Sequence, residues 1–226
     1  RASTRAVVSL FVLNSLEYCN CVPIGVEYDE YMNSPVRPHM LSLTDFGARG
    51  DNASINSEAF NLAIARAASL EGGCRINIPP GVYLTAPFNL TSHLTLHLSK
   101  GATILGVGEE RRDLWPVIAP LPSYGTARGG AEIPLRYAPL IGGFNLTDVV
   151  IEGEGVYLTT IDGNGWGWWK AYHEKRERIT RGRLIEFMWS DGILIQNLTL
   201  QNSPFWTTHL IYSSNIVGRG LRILAP

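Results

Sequence analysis

The 226 residues carry 19 basic and 20 acidic side chains, a formal charge of −1, and are 45% hydrophobic against 17% charged. That composition supports a folded, core-bearing chain and excludes a disordered one. The charge balance argues against a nucleic-acid surface, which needs an excess of Lys and Arg, but leaves room for a local basic cleft able to hold an anionic sugar.

Residues 1–40 read differently from the rest. Arg1 and Arg5 precede an apolar run from Ala6 to Leu16, followed by Cys19 and Cys21. A positive flank and a short apolar core have the character of a secretory signal, so this stretch is expected to be a signal-like or irregular segment and the protein to be secreted. No apolar run reaches about 18 residues, so no membrane span is expected. Cys19, Cys21 and Cys74 cannot all pair with one another, and no His or Cys cluster stands nearby, so neither a metal site nor a cofactor is expected. Four tripeptides fit the N-glycosylation pattern, with acceptors Asn52, Asn89, Asn145 and Asn197.

Residues 41–226 read as one domain. Leu43 to Asp51 is a short apolar stretch closing into a Gly- and Asp-rich turn. Asn56 or Ser57 can cap a helix to about Leu70, with Phe60, Ile64, Ala67 and Ala68 on one face and Gly72-Gly73 stopping it. Beyond that helix the chain reads as short strands between turn residues: Ile76–Ile78, Val82–Leu84, His93–Leu98, Ala102–Leu105, Val149–Ile151, Thr160–Ile161, Leu184–Trp189, Ile193–Ile195, Leu198–Leu200, Trp206–Tyr212, Ile216–Val217 and Leu221–Leu224. A second short helix is expected near Lys170–Glu177. With so few helices, a doubly wound α/β sheet is excluded. An internal repeat selects among all-β folds. Ser190-Asp191-Gly192-Ile193-Leu194 lines up with Ser213-Ser214-Asn215-Ile216-Val217, and Leu198-Thr199-Leu200 with Leu221-Arg222-Ile223, both at an offset of 23 residues. A period in the twenties with several strands per repeat fits one coil of a solenoid. The expectation from the repeat is an all-β parallel β-helix with an N-terminal capping α-helix.

These phrases also carry a family resemblance. Leu43 to Ala48 with Gly50-Asp51, Glu58-Ala59-Phe60, and Ile78 to Tyr83 resemble the opening of pectin-degrading β-helix enzymes. Leu84 to His93, Trp115-Pro116, Pro122 to Gly125, Arg136 to Ile141, Thr160 to Gly165 with Trp168-Trp169, Arg183 to Phe187 and Asn202 to His209 narrow the resemblance to glycoside hydrolase family 28. These are the polygalacturonases, and the match is closest to a plant-type, exo-acting or rhamnogalacturonase-like branch. The resemblance implies that the fold is a right-handed parallel β-helix, truncated at its C-terminal end. It also implies inverting hydrolysis of α-1,4-galacturonan by Asp acid and base, whose carboxyls stand roughly 6.5–9.5 Å apart. The family carries its catalytic groups in an Asn-Thr-Asp phrase, an Asp-Asp pair, a Gly-His-Gly histidine and an Arg-x-Lys pair, none of which occurs here. The family order places the first of them just after Pro226, so no catalytic residue is assigned and these residues alone are expected to be inactive.

Candidate contacts to a polysaccharide are His209 and Trp206, on the strand one coil before that position, with alternation turning His209 outward and Leu210 inward. Trp166, Trp168 and Trp169 offer sugar-stacking faces, weighed against packing over a coil edge. Asp148, Asp162 and Asp191 read as turn residues bonding their own backbone. Glu186 lies within a strand and faces either solvent or the cleft, solvent being the preferred reading, and His173 to Arg178 reads as a solvated charged face. The partner is expected to be pectin, polygalacturonate or rhamnogalacturonan, and the protein a monomer. Two alternatives stand beside the hydrolase: a non-catalytic β-helix binding acidic polysaccharide, and a lyase on the same fold. The lyase would need Ca²⁺ and an arginine base, and no clustered Asp and Glu set suits the ion.

Overall fold

The computed structural model describes residues 33–121 and 135–225. The signal-like run, Cys19, Cys21 and the Pro122-to-Gly125 phrase lie outside the described residues. In chain order the elements are β1 (His39–Ser42), β2 (Asp51–Ile55), α1 (Ser57–Ala68), β3 (Cys74–Ile78), β4 (Gly81–Thr85), β5 (Phe88–Asn89), β6 (Leu94–Leu98), β7 (Ala102–Gly106), β8 (Val117–Ile118), β9 (Arg136–Tyr137), β10 (Ile141–Phe144), β11 (Thr147–Gly153), β12 (Thr160–Asp162), α2 (Trp166–His173), β13 (Ile185–Met188), β14 (Asp191–Gln201), β15 (Thr208–Ile211) and β16 (Ser214–Leu224).

Apart from the short antiparallel pair β8–β9, these strands pair in parallel. One face of the coil is β1-β3-β6-β11-β14, a second is β2-β4-β7-β12 joined to β14, and a third is β5-β10-β13-β15, with β16 beside β14. The chain winds as a right-handed parallel β-helix. The repeat read from the sequence is the coil itself: Asp191 pairs with Ser214, Leu198 with Leu221 and Ile185 with Thr208, each 23 positions on. The runs expected separately at Ile193–Ile195 and Leu198–Leu200 form one strand, β14, which turns the corner between two faces at Asn197 (φ 56°). The second helix lies earlier than expected, because Trp168 and Ala171 give it a buried apolar side that the charged stretch after His173 lacks.

Inside the coil, like side chains stack in register. Leu41, Ile76, Leu96, Ile151 and Ile195 form one such column, and Tyr83, Ile104, Ile161 and Leu200 another. Corners are made by single left-handed residues. Gly73 and His93 immediately precede β3 and β6, and Asp148, Gly192 and Asn215 are the second residues of β11, β14 and β16, all with φ from 52° to 91°. A β-carbon at Gly73 would meet the His93 carbonyl at 2.6 Å, so only glycine fits there. Helix α1 takes the place of a third-face strand in the first coil. Ala59, Phe60, Ala63, Ile64 and Ala67 are buried, and Phe60 stacks on Phe88 with centroids 4.3 Å apart. The helix caps the column, as expected. Asn56 precedes it, but its amide ties Arg49, Ser54 and Leu84 together and makes no cap bond to the helix.

The outer side of the first face carries a polar column: Asn77, His97, Glu152, Gln196 and Arg219. Glu152 receives Gln196 at 2.8 Å and lies 3.0 Å from His97 Nδ1, while Arg219 donates to Gln196 at 2.7 Å. Residues before β1 cross this side. Arg37 grips both carboxylate oxygens of Asp148, at 2.5 and 2.9 Å, and donates to Thr95. Asp148 is therefore an ion-pair partner of Arg37, and Asp191 accepts from Ser214 and Asn215 of the next coil. Both correct the turn-residue reading, because a solenoid sets the neighbouring coil closer than the next turn residue. Asp162 does accept from the Asn164 backbone at 2.8 Å, as expected.

Burial opposes ionisation of Glu152, but hydrogen bonds from His97, Gln196 and Ser34 outweigh it and pull its carboxyl from 4.5 to about 2. A depressed folded-state value gives stability that is complete above the unfolded value and lost as pH falls through the folded one. The thermal unfolding midpoint should therefore fall as pH drops from about 4.5 to about 2, and Glu152→Gln should lower the midpoint at neutral pH and flatten that slope. Phe60→Ala should cost about 3–5 kcal/mol in denaturant unfolding, since it empties the cap of the column.

Candidate functional site

The third face carries the candidate site. On β10, β13 and β15 the side chains alternate: Ile141, Ile185, Phe187 and Leu210 point into the coil, while Gly142, Glu186 and His209 stand outward in one row, continued by Asn89 of β5. A second outward row holds Phe144, Met188 and Ile211. Gly142 keeps the floor low, because a β-carbon there would collide with the Asn89 amide and the Pro139 ring. Along one side run the long connections from the second face to the third. Trp115, Tyr137 and Trp168 pack edge to face within them at 5.1–5.2 Å. Arg112 lies over Trp168 and binds Glu109 and Glu177, joining two insertions into one wall.

Glu186 is the centre of the row. Its residue is 2% exposed, which corrects the expectation of a solvent-facing carboxylate. The reason is the wall: Arg136, on β9, reaches back to bind one carboxylate oxygen, and Arg183 stands 3.2 Å from the other. His209 Nδ1 lies 2.7 Å from that same oxygen. Burial pushes the Glu186 carboxyl up, but the His209 hydrogen bond and the charges of Arg183 and Arg136 outweigh it and hold it below the usual carboxylate range. It is thus ionised at neutral pH and committed to three cationic or protonatable groups.

His209 faces outward as expected. Trp206 lies in the turn before β15, not on the strand, because Ser203 to Trp206 bend over the wall first. The fold still brings the two together, with ring centroids 5.0 Å apart. Phe205 stacks on Trp206 at 5.0 Å, and Arg183 lies 5.2 Å from the Trp206 ring. Arg181 is buried among Trp169, Tyr172 and Phe205, 4.0, 4.4 and 5.0 Å from their centroids, and donates to the Pro204 carbonyl. Of the three candidate stacking tryptophans, Trp168 is core, Trp169 sandwiches Arg181, and Trp166 is exposed. In the charged stretch after α2, Glu177 is not solvated but buried against Arg112. Asn52, Asn145 and Asn197 sit exposed at left-handed positions, and Asn89 stands exposed at the end of the outward row.

Sequence reasoning preferred solvent over the cleft for Glu186 and missed its partners Arg136 and Arg183. For Glu186 the signal was present: it precedes His209 by 23 residues, one coil, so the repeat places it beside that histidine. Arg136 arrives through an insertion, which no periodicity marks. Among the described residues no group of three or more His, Cys, Asp and Glu could hold a metal ion, and no helix is long and apolar enough to cross a membrane. Cys74 is buried and unpaired by disulfide.

No protein-family model matches the chain. It is 46% identical over 199 residues to a probable polygalacturonase of Vitis vinifera, covering 87% of this chain and 39% of that protein. It is 33% identical over 132 residues to an exo-poly-alpha-D-galacturonosidase of Dickeya chrysanthemi, covering 57% of this chain and 20% of that one. Among solved structures it is similar to the exopolygalacturonase of Thermotoga maritima, with a TM-score of 0.67 and 25% identity over 87% of this chain and 50% of that one. The chain therefore spans half or less of the length of these relatives.

Replacing Glu186 by Gln should destabilise the fold by about 3–5 kcal/mol, because Arg136 and Arg183 lose the carboxylate they share in a buried setting. Urea unfolding of the variant measures this directly.

Proposed function

Starting from a chain that is polygalacturonase-like in sequence and fold, of the glycoside hydrolase family 28 kind, we propose that the protein acts on pectin, hydrolysing α-1,4-galacturonan with inversion. The observation that carries this reading is the 46% identity to the Vitis vinifera polygalacturonase over most of the chain. It falls on a fold whose third face we read as a trough, with Trp206 and His209 beside the Arg136–Glu186–Arg183 cluster.

The described part supplies binding and shape. A galacturonan chain is a row of pyranose rings, each with an apolar face and a carboxylate. Trp206, backed by Phe205, offers a flat ring for such a face, and the Arg136–Arg183–His209 cluster gives the floor a positive field that attracts a polyanion. Inversion needs two carboxyls on opposite faces of the scissile sugar, one to protonate the leaving oxygen and one to activate water. Glu186, the carboxylate of the outward row, is held ionised by its three partners and cannot serve as the acid. We therefore place the acid and base on later coils of the intact protein. Secretion to the cell wall and a monomeric state complete the proposal.

One observation favours a second reading for these residues by themselves, that of a binding platform: Glu186 is fully engaged and unavailable for chemistry. Incubation with polygalacturonate tests both. The intact protein should release reducing ends without the ultraviolet-absorbing unsaturated ends that a lyase makes. The 226 residues alone should bind polygalacturonate without cleaving it, and Trp206→Ala should weaken that binding roughly tenfold. Cleavage by the 226 residues would place the carboxylates among them, and failure to bind acidic polysaccharide would remove pectin as the substrate.

A further inference from the structure

The trough has a second edge, opposite the long insertions, where the third face turns into the first through short corners. In successive coils one left-handed position of this corner is filled by Asn145 (φ 53°), Trp189 (φ 50°) and Tyr212 (φ 55°). Asparagine suits that conformation; a bulky aromatic residue there is an outlier and costs energy. Backbone strain of this sort persists where the side chain it delivers has a use.

The strain here brings aromatic rings into line. Trp189 and Tyr212 stack with centroids 4.7 Å apart and planes 22° from parallel. Phe144, the last outward residue of β10, meets Trp189 edge to face at 5.1 Å. Despite these contacts Phe144 is 60% exposed, Trp189 41% and Tyr212 40%. Neighbouring corners do their turning with Asn, Asp, His or Gly, so the turn itself does not call for aromatic residues.

We propose that Phe144, Trp189 and Tyr212 form an aromatic rail along the trough, against which a galacturonan chain lies. This rests on the pectin reading and adds the residues that would set the chain's path. The rail is continuous with the proposed binding row, since Phe144 shares the outward register of Met188 and Ile211, two positions along the strands from Glu186 and His209. Its rings advance one coil at a time, about 4.8 Å, close to the length of one pyranose in an extended polysaccharide. The faces of Trp189 and Tyr212 are taken up by their own stack, so the apolar C–H surface of the sugars rests against the exposed ring edges and the open side of Phe144. Aromatic rings of this type bind sugars through such apolar surface, and Tyr and Trp add a polar edge.

The test is calorimetric titration of the protein with galacturonate oligosaccharide, with a neutral glucan as control. Trp189→Asn combined with Tyr212→Asn restores the residue type found at Asn145, so the corners keep their conformation. Phe144→Thr, on the strand, gives an independent arm. The expected result is roughly tenfold weaker binding of the oligosaccharide in both variants, with thermal midpoints close to that of the unaltered protein. Unchanged affinity in folded variants, while the unaltered protein binds, overturns the rail alone. If the unaltered protein binds no acidic oligosaccharide, the pectin reading and the rail both fall.

Discussion

Register between successive coils governs this molecule. Each strand of the three faces pairs in parallel with its equivalent in the next coil, so a side chain's neighbours are its equivalents in the coils before and after. A slip of one residue would turn the whole inner column outward. Apolar positions therefore stack as Leu41, Ile76, Leu96, Ile151 and Ile195, and polar ones as Asn77, His97, Glu152, Gln196 and Arg219. The single left-handed residues at the corners hold that register, because each resets the chain's direction at a fixed place in the coil.

The same periodicity builds the trough. Residues of modest meaning in the sequence become neighbours when coiled, as Glu186 and His209 do, and the cleft floor is a row of such equivalents. What breaks the periodicity gives it walls. The insertions after β7 and β12 rise beside the floor, lock together through Arg112, Glu109 and Glu177, and send Arg136 back over Glu186. On the opposite side the coil does not lengthen at all, and the edge is formed by the side chains of the corners themselves.

Electrostatics follow from this placement. A carboxylate on an outward row of a solenoid would ordinarily meet water, where a salt bridge contributes little. Under the wall, Glu186 is desolvated, and only the combined pull of His209, Arg183 and Arg136 keeps it ionised. The arrangement is structural as well as electrical, since the carboxylate ties an insertion, the third face and the following coil at one point.

The coil was legible in the order of residues alone. The 23-residue phrase repeat, the alternating short runs and the capping pattern at Phe60 and Ile64 were enough for a parallel β-helix with an N-terminal helix. They work because repeat and pleat are local and periodic, and each coil meets only its neighbours. Family phrases along the chain pointed to a pectin-acting hydrolase, and alternation gave the outward face of His209. Folding in three dimensions was needed to bury Glu186, to set Asp148 against Arg37, and to align Trp189 and Tyr212 on a trough edge. Those facts depend on which insertion folds over which row and on the lateral offset between coils, and a linear pattern of residues carries neither.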